Sequence, residues 1–378
     1  MAEELVGEEL AGLVERVFGP GPDDRALAIL IDLPDERAPD NPQWLERRQM
    51  AADWVTELSA LRGRLGLETH LCLYRNVGTN NGDLPDKAWL HQGSRLPSTV
   101  HDLNAGDAVL FSEIFCSHSL LIAPTEFSAT APLKLLARTF RFRAATMPGF
   151  SRSMIPALKL DYAEINRRVA ALKEMLDRAE RAEFFFALEG GARYQLALDL
   201  RYRTAHASGG LLHEPGTAGN LPSGEAYIVP YEGEVDGQPS RSQGELPVQF
   251  GSEVVVYRIE QNVAREVAGT GPAADQERKH LREEPAYGNI AELGLGVLDD
   301  FGVQPCGSIL LDEKLGLHIA FGRSDHFGGQ VGPKQFSRPE AVVHIDRVYV
   351  PSTQPLIRVL QVNLDGSPLM RNGRYVSS

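Results

Sequence analysis

The chain has 378 residues, 43% of them hydrophobic, and a formal charge of −13 from 38 Lys and Arg against 51 Asp and Glu. That length can bury a large core and predicts two domains, while the acidic balance excludes general affinity for nucleic acid or an anionic membrane. The N-terminus, M-A-E-E-L-V-G-E-E-L, lacks a basic region followed by an apolar run, and no stretch reaches the ~18 apolar residues of a membrane span, so a soluble, cytoplasmic protein is expected. Cys72, Cys116 and Cys306 are widely spaced without a C-x-x-C, which fits reduced thiols buried as small hydrophobes better than disulfides or a thiolate zinc site.

Residues 9–18 carry helical apolar spacing (Leu10, Leu13, Val14, Val17, Phe18) and stop at the G-P-G-P beginning at Gly19. A strand over 26–33, a loop rich in Pro and Asp over 34–42 and a helix over 44–61 follow. Next come a strand at 67–74, a polar turn from Asn76, apolar runs at 108–111 and 119–123, a helix near 132–140 and a strand at 142–145. This alternation predicts an α/β layer with a largely parallel sheet over residues 1–147, ending near Met147-Pro148-Gly149.

Residues 148–378 form the predicted second domain, β-rich and α+β. It begins with an amphipathic helix over 161–180, with Ile165, Val169, Leu172, Met175 and Leu176 on one face. Strands at 184–188 and 193–200 make a hairpin across Gly190-Gly191. Further strands are expected at 227–230, 248–250 and 253–259, then a charged helix at 273–284, then closing strands at 309–311, 317–321, 342–348 and 356–362.

The residues able to do chemistry together lie between Gly219 and Asp346. In H-I-D, strand alternation sends His344 and Asp346 to the same face, where an imidazole nitrogen and a carboxylate suit a divalent metal; a hydrogen-bonded edge pair is the other reading. His318, in L-H-I-A-F-G, reads either as a ligand or as a core histidine held by a backbone carbonyl. Glu225 opens the apolar run Tyr227-Ile228-Val229, and Glu292 lies between Ile290-Ala291 and Leu293-Gly294-Leu295-Gly296. A carboxylate in such a setting is costly unless a cation or hydrogen bonds compensate it. With carboxylates in excess of imidazoles, the set carries enough charge for two divalent cations, which is hydrolase-like chemistry.

At these motifs the sequence resembles the aminopeptidase T and aminopeptidase S metallopeptidases. The likeness runs from about 147 to 350, through M-P-G-F, D-Y-A-E-I, G-N-L-P-S-G-E-A-Y-I-V-P, E-P-A-Y-G-N-I-A-E-L-G-L-G, L-D-E-K-L-G-L-H-I-A-F-G and H-I-D. It implies an N-terminal α/β domain, a C-terminal β-rich metallopeptidase-like domain, a homodimer, and two divalent metals (zinc, cobalt or manganese) held by Glu225, Glu292, His318, His344 and Asp346. Glu313 of D-E-K is then a further ligand or neighbouring acid, and Glu292 or Glu225 takes the proton of the attacking water. Lys314 either assists the developing oxyanion or faces solvent in a turn. The implied substrate is a small molecule or short peptide, cleaved at an amide bond.

Two positions depart from the family. Its tyrosine seven residues after the equivalent of His318 is replaced by Asp325 in R-S-D-H-F-G-G, which makes Asp325 and His326 candidates for that role. An expected asparagine after A-E-L-G-L-G gives way to Val297-Leu298-Asp299-Asp300. The alternative is a mononuclear non-haem iron(II) ring-cleaving enzyme, because dihydroxypyridine dioxygenases are similar to this family and His318, His344 and Asp346 supply two imidazoles and a carboxylate. In those enzymes a histidine takes the place of Glu292. A third reading, a binding protein with a degenerate site, is disfavoured by retention of all the ligand types.

Overall fold

The computed structural model describes residues 4–93 and 95–376, and elements and partners are counted among these. The chain divides into two compact units: Met1–Asn166 with Ser208–Ser223, and Arg167–Ala207 with Gly224–Ser378.

In the first unit, β1 (Ala26–Leu33) is buried along its whole length, as its unbroken apolar sequence requires of a strand covered on both faces. It lies between β2 (Glu68–Arg75) and β5 (Leu120–Ala123), parallel to both, and β6 (Arg143–Thr146) extends the parallel order. β3 (Lys87–His91) and β4 (Val109–Leu110) close the other edge antiparallel. The helix Gly7–Phe18 ends at Gly19 with φ 53°, and Asn41 caps Pro42–Ala60 by accepting from Trp44 N at 2.8 Å. The apolar run at 108–111 divides: its middle is β4, and Phe111 starts the helix Phe111–Ser117. Asp32, buried in β1, accepts from the Glu126 and Phe127 amides at 2.8 and 3.0 Å, and burial pushes its pKa up to about 6.

The second unit opens with the hairpin β7 (Arg181–Leu188) and β8 (Arg193–Asp199), turning at Gly191 with φ 88°. β9 (His206–Ser208) follows, and β10 (Ala218–Asn220) then pairs parallel to β6 as the last strand of the first unit's sheet. That pairing is why residues 208–223 group with the first unit, a division that differs from the single cut expected after residue 147. β11 (Glu225–Ile228), β12 (Gln243–Phe250), β13 (Glu253–Glu260), β14 (Val263–Ala268), β15 (Ile290–Gly296), β16 (Leu317–Gly322), β17 (His344–Val348), β18 (Ile357–Leu364), β19 (Ser367–Arg371) and β20 (Arg374–Tyr375) complete the chain.

Among the described residues these strands make an eight-stranded sheet, ordered β14-β13-β12-β8-β7-β18-β19-β20, and a five-stranded sheet, ordered β17-β16-β15-β11-β9. The α/β and α+β expectations for the two halves agree with this. The expected strand at 309–311 is instead the helical turn Ile309–Asp312. Asp312 is the reason: its carboxylate accepts from the Cys306 and Gly307 amides at 2.9 and 3.0 Å, folding the loop back on itself. Of the cysteines only Cys72 is buried, and Cys116 is exposed. Among the described residues no helix is long and apolar enough to cross a membrane.

Candidate metal centre

Strand register gathers the chemistry on one face of the five-stranded sheet. Tyr227 on β11 is opposite Gly294 on β15, which is opposite His318 on β16. In the adjacent row Glu292 is opposite Ala320, which is opposite Asp346 on β17. Opposed residues of antiparallel strands project to the same face, and alternate residues rejoin it, so Glu225 and His344 belong to that face as well. The small residues are what make room. A Cβ on Gly294 would lie 1.9 Å from His318 Nε2, and one on Gly296 would lie 2.3 Å from the Lys314 carbonyl carbon.

Glu292 occupies the middle. Its Oε1 is 3.1 Å from His318 Nε2 and its Oε2 is 3.4 Å from His344 Nε2. Glu225 Oε2 approaches His318 Nε2 at 3.4 Å, and Asp346 Oδ1 approaches His344 Nε2 at 3.5 Å. Two groups result that can hold a metal ion, Glu225 with Glu292 and His318, and Glu292 with His344 and Asp346, with Glu292 common to both. Each imidazole is oriented by a carbonyl: His318 Nδ1 faces Gly316 O at 3.3 Å and His344 Nδ1 faces Arg323 O at 2.7 Å. With Nδ1 donating to these carbonyls, it is Nε2, turned to the carboxylates, that would give up its proton to offer a lone pair to a metal. Glu225 Oε2 is buried and accepts no hydrogen bond, an orphaned acceptor that a cation would satisfy. The donor set therefore fits a divalent metal.

The electrostatics express an excess of carboxylate. Burial works against charge on His318, but the hydrogen bond to Glu292 and the charges of Glu225, Glu292 and Asp346 raise its pKa to about 9. His344 is held well above the ordinary histidine value, against burial, by Asp346 and Glu292. Conversely, Glu292 and Asp346 resist burial and stay below the usual carboxylate range because of these imidazoles. Divalent cations answer the same excess of negative charge.

Lys314 does not face solvent, contrary to the turn reading of D-E-K. It is fully buried, with Nζ 2.5 Å from Glu225 Oε1 and also paired to Glu313. Burial disfavours its charge, and the two carboxylates outweigh that, raising its pKa. Glu313 is outside both candidate groups; burial and the nearby Glu225 and Asp346 raise its pKa to about 8, against the pull of Lys314.

Asp325 and His326 lie on the short turn Asp325–Phe327. Asp325 is directed to Arg323, whose Nε is 2.6 Å from its Oδ1, while the His326 ring centroid is 5.4 Å from that of His344. The turn is anchored through Ser324, whose Oγ donates to Glu232 Oε1 at 2.6 Å; the Asn289 amide donates to the same oxygen at 2.7 Å. Sequence reasoning gave no role to Tyr227, His206 or Phe327. Tyr227 stacks on His206 at 5.1 Å and meets Phe327 edge-on at 4.9 Å, and Phe327 in turn packs 5.6 Å from His344. The signal available for Tyr227 was its position two residues after Glu225 on a strand.

No family profile matches the chain, and no curated protein does. Two solved structures resemble it along nearly its whole length. The 2,5-dihydroxypyridine dioxygenase of Pseudomonas putida KT2440 superposes with a TM-score of 0.61 at 15% identity, covering 98% of this chain and 97% of that one. Wild-type AmpT of Thermus thermophilus, an aminopeptidase T, superposes with a TM-score of 0.53 at 17% identity, covering 98% of each. At these identities the likeness is one of fold: the chain has a mixed α/β, metallopeptidase-like architecture and a distant structural relationship to both enzymes.

Proposed function

We propose that the protein is a metal-dependent hydrolase that cleaves an amide or peptide bond in a small substrate. The observation carrying this reading is the division of Glu292 between two imidazoles, one carboxylate oxygen toward His318 and the other toward His344. A carboxylate shared in this way suits a pair of cations better than one. One ion would be held by Glu225, Glu292 and His318, the other by Glu292, His344 and Asp346. Zinc, cobalt or manganese there would acidify water and polarise a scissile carbonyl.

The chain's own residues supply the rest. Glu225 is fixed by Lys314 through Oε1, so Oε2 stays directed at the His318 side. Glu292 or Glu225 would take the proton from water and return it to the leaving amine. Asp325 is held by Arg323, and His326 lies beside His344. A homodimer in the cytoplasm completes the proposal. Metal analysis tests it together with hydrolysis of a panel of aminoacyl p-nitroanilides and dipeptides: about two ions per chain and turnover support it, and His344→Ala retaining full metal and activity overturns it.

One observation favours a second reading, a ring-cleaving dioxygenase with a single iron. Phe327 and His326 present rings beside His344, and Tyr227 adjoins Phe327, which suits a planar aromatic substrate. Bound iron at one per chain, with oxygen uptake on adding 2,5-dihydroxypyridine, selects it over the hydrolase.

A further inference from the structure

Tyr227 shares the face of the candidate ligands, two residues from Glu225 on β11 and opposite Gly294. Because Gly294 has no side chain, the row continues from Tyr227 directly to the His318 ring, which lies over that glycine. The phenol ring is held on two sides, stacked at 24° on His206 and edge-on at 65° to Phe327. His206 is itself fixed, with Nε2 3.0 Å from the Phe327 carbonyl oxygen. Among the described residues the Tyr227 hydroxyl makes no hydrogen bond, although the buried tyrosines of this unit, Tyr231, Tyr257, Tyr287 and Tyr349, each make one. The ring shares its face of the sheet with Glu225, Glu292 and His318, beside the carboxylate cluster.

None of the carboxylates accepts from it: Glu292 faces both imidazoles, and Glu225 is held by Lys314 through Oε1, its Oε2 turned to the His318 side. A fixed O–H donor next to a candidate metal centre, with no protein acceptor, is organised for an acceptor that arrives with the substrate. Asp325 cannot supply such a donor, since a carboxylate held by Arg323 only accepts.

We propose that Tyr227 is a catalytic hydrogen-bond donor, giving its phenolic O–H to the substrate oxygen that becomes negatively charged during the reaction, the carbonyl oxygen of the scissile amide. This rests on the metal-centre reading above. A merely structural Tyr227 would be a wall for the pocket, and Tyr227→Phe keeps that wall while removing only the donor.

The test compares the zinc-loaded wild type and Tyr227→Phe, reading zinc content, acetohydroxamate affinity by calorimetry, and kcat and KM for leucine p-nitroanilide. Acetohydroxamate offers an anionic oxygen to a metal centre without needing turnover. The expected result is unchanged zinc, acetohydroxamate binding weakened about 10-fold, and kcat reduced about 100-fold with little change in KM. Where the anilide is not a substrate, the acetohydroxamate titration decides alone. Equal acetohydroxamate affinity in the two proteins, or its absence in both at full zinc loading, overturns the role of Tyr227. A wild type that takes up no metal fails differently, since it removes the metal-centre reading itself.

Discussion

Lys314 places its ammonium 2.5 Å from Glu225 Oε1 with none of its side chain exposed. An ion pair so buried contributes little beyond a hydrophobic replacement of both partners, but removing one partner strands the other at a cost of about 3–5 kcal/mol. In Lys314→Met, Glu225 and Glu313 both lose that partner. The metal-stripped variant is therefore expected to melt well below the metal-stripped wild type. Added zinc should narrow the gap, because a cation at Glu225 restores part of the lost charge compensation. Thermal melts of both proteins with and without zinc check this; a gap that zinc leaves unchanged would place the metal away from Glu225.

Glu292 faces both imidazoles, so its loss should affect both groups together. Glu292→Gln keeps the size and one oxygen but forfeits the charge that both groups share. Metal content is expected to fall from about two ions per chain to below one, with activity lost at least 1,000-fold, on the scale of removing an essential acid–base group. By contrast, Asp346→Asn touches only the His344 group and should leave about one ion. Equal metal loss in the two variants, measured by elemental analysis after gel filtration, would contradict a bridging Glu292.

The pH dependence of the metal-stripped protein and of metal uptake should run in opposite directions. The pKa of His318 is raised from 6.5 to about 9, so the imidazolium stabilises the folded state below ~6.5 and that stabilisation is lost as pH rises through about 9. Metal binding needs the neutral imidazole, so zinc affinity should climb over the same interval and level off above it. Chelator competition from pH 6 to 9.5, with melts of the stripped protein, tests both signs. An affinity independent of pH would exclude His318 as a ligand.

The sequence made the ligand-type residues legible where local geometry carries the information. His344 and Asp346 share a face because strand alternation requires it, and Glu225 and Glu292 drew notice as carboxylates inside apolar runs. The solvent-facing alternative for Lys314 fails because burial of an ammonium depends on partners distant in sequence: Glu225 is 89 residues away. The turn at 309–311 was read as a strand because three apolar residues carry no periodicity, and the side chain of Asp312 decides the conformation. Residues 208–223 grouped with the first unit for a similarly nonlocal reason, the pairing of β10 with β6. Tyr227 was read only as part of a strand, since an unpartnered hydroxyl becomes visible only once every neighbour is placed.

Gly294 offers the sharpest test of the His318 group. The residue is central on β15 and is not among the glycines of positive φ, so alanine is compatible with its backbone. The obstacle is contact: the added Cβ would lie 1.9 Å from His318 Nε2 and 2.1 Å from Cε1, forcing the ring away. Because this is a clash in a packed interior rather than a broken strand, the loss of stability should be about 1–3 kcal/mol, and Gly294→Ala should remain folded. The displaced imidazole no longer directs Nε2 between Glu225 and Glu292, whereas His344 and Asp346, two strands away on β17, keep their places. The variant is expected to retain about one metal ion per chain, bound at the His344 group, and to lose hydrolysis. Circular dichroism and elemental analysis on one preparation read both consequences, and a folded Gly294→Ala with its full complement of metal would show that His318 is not a ligand.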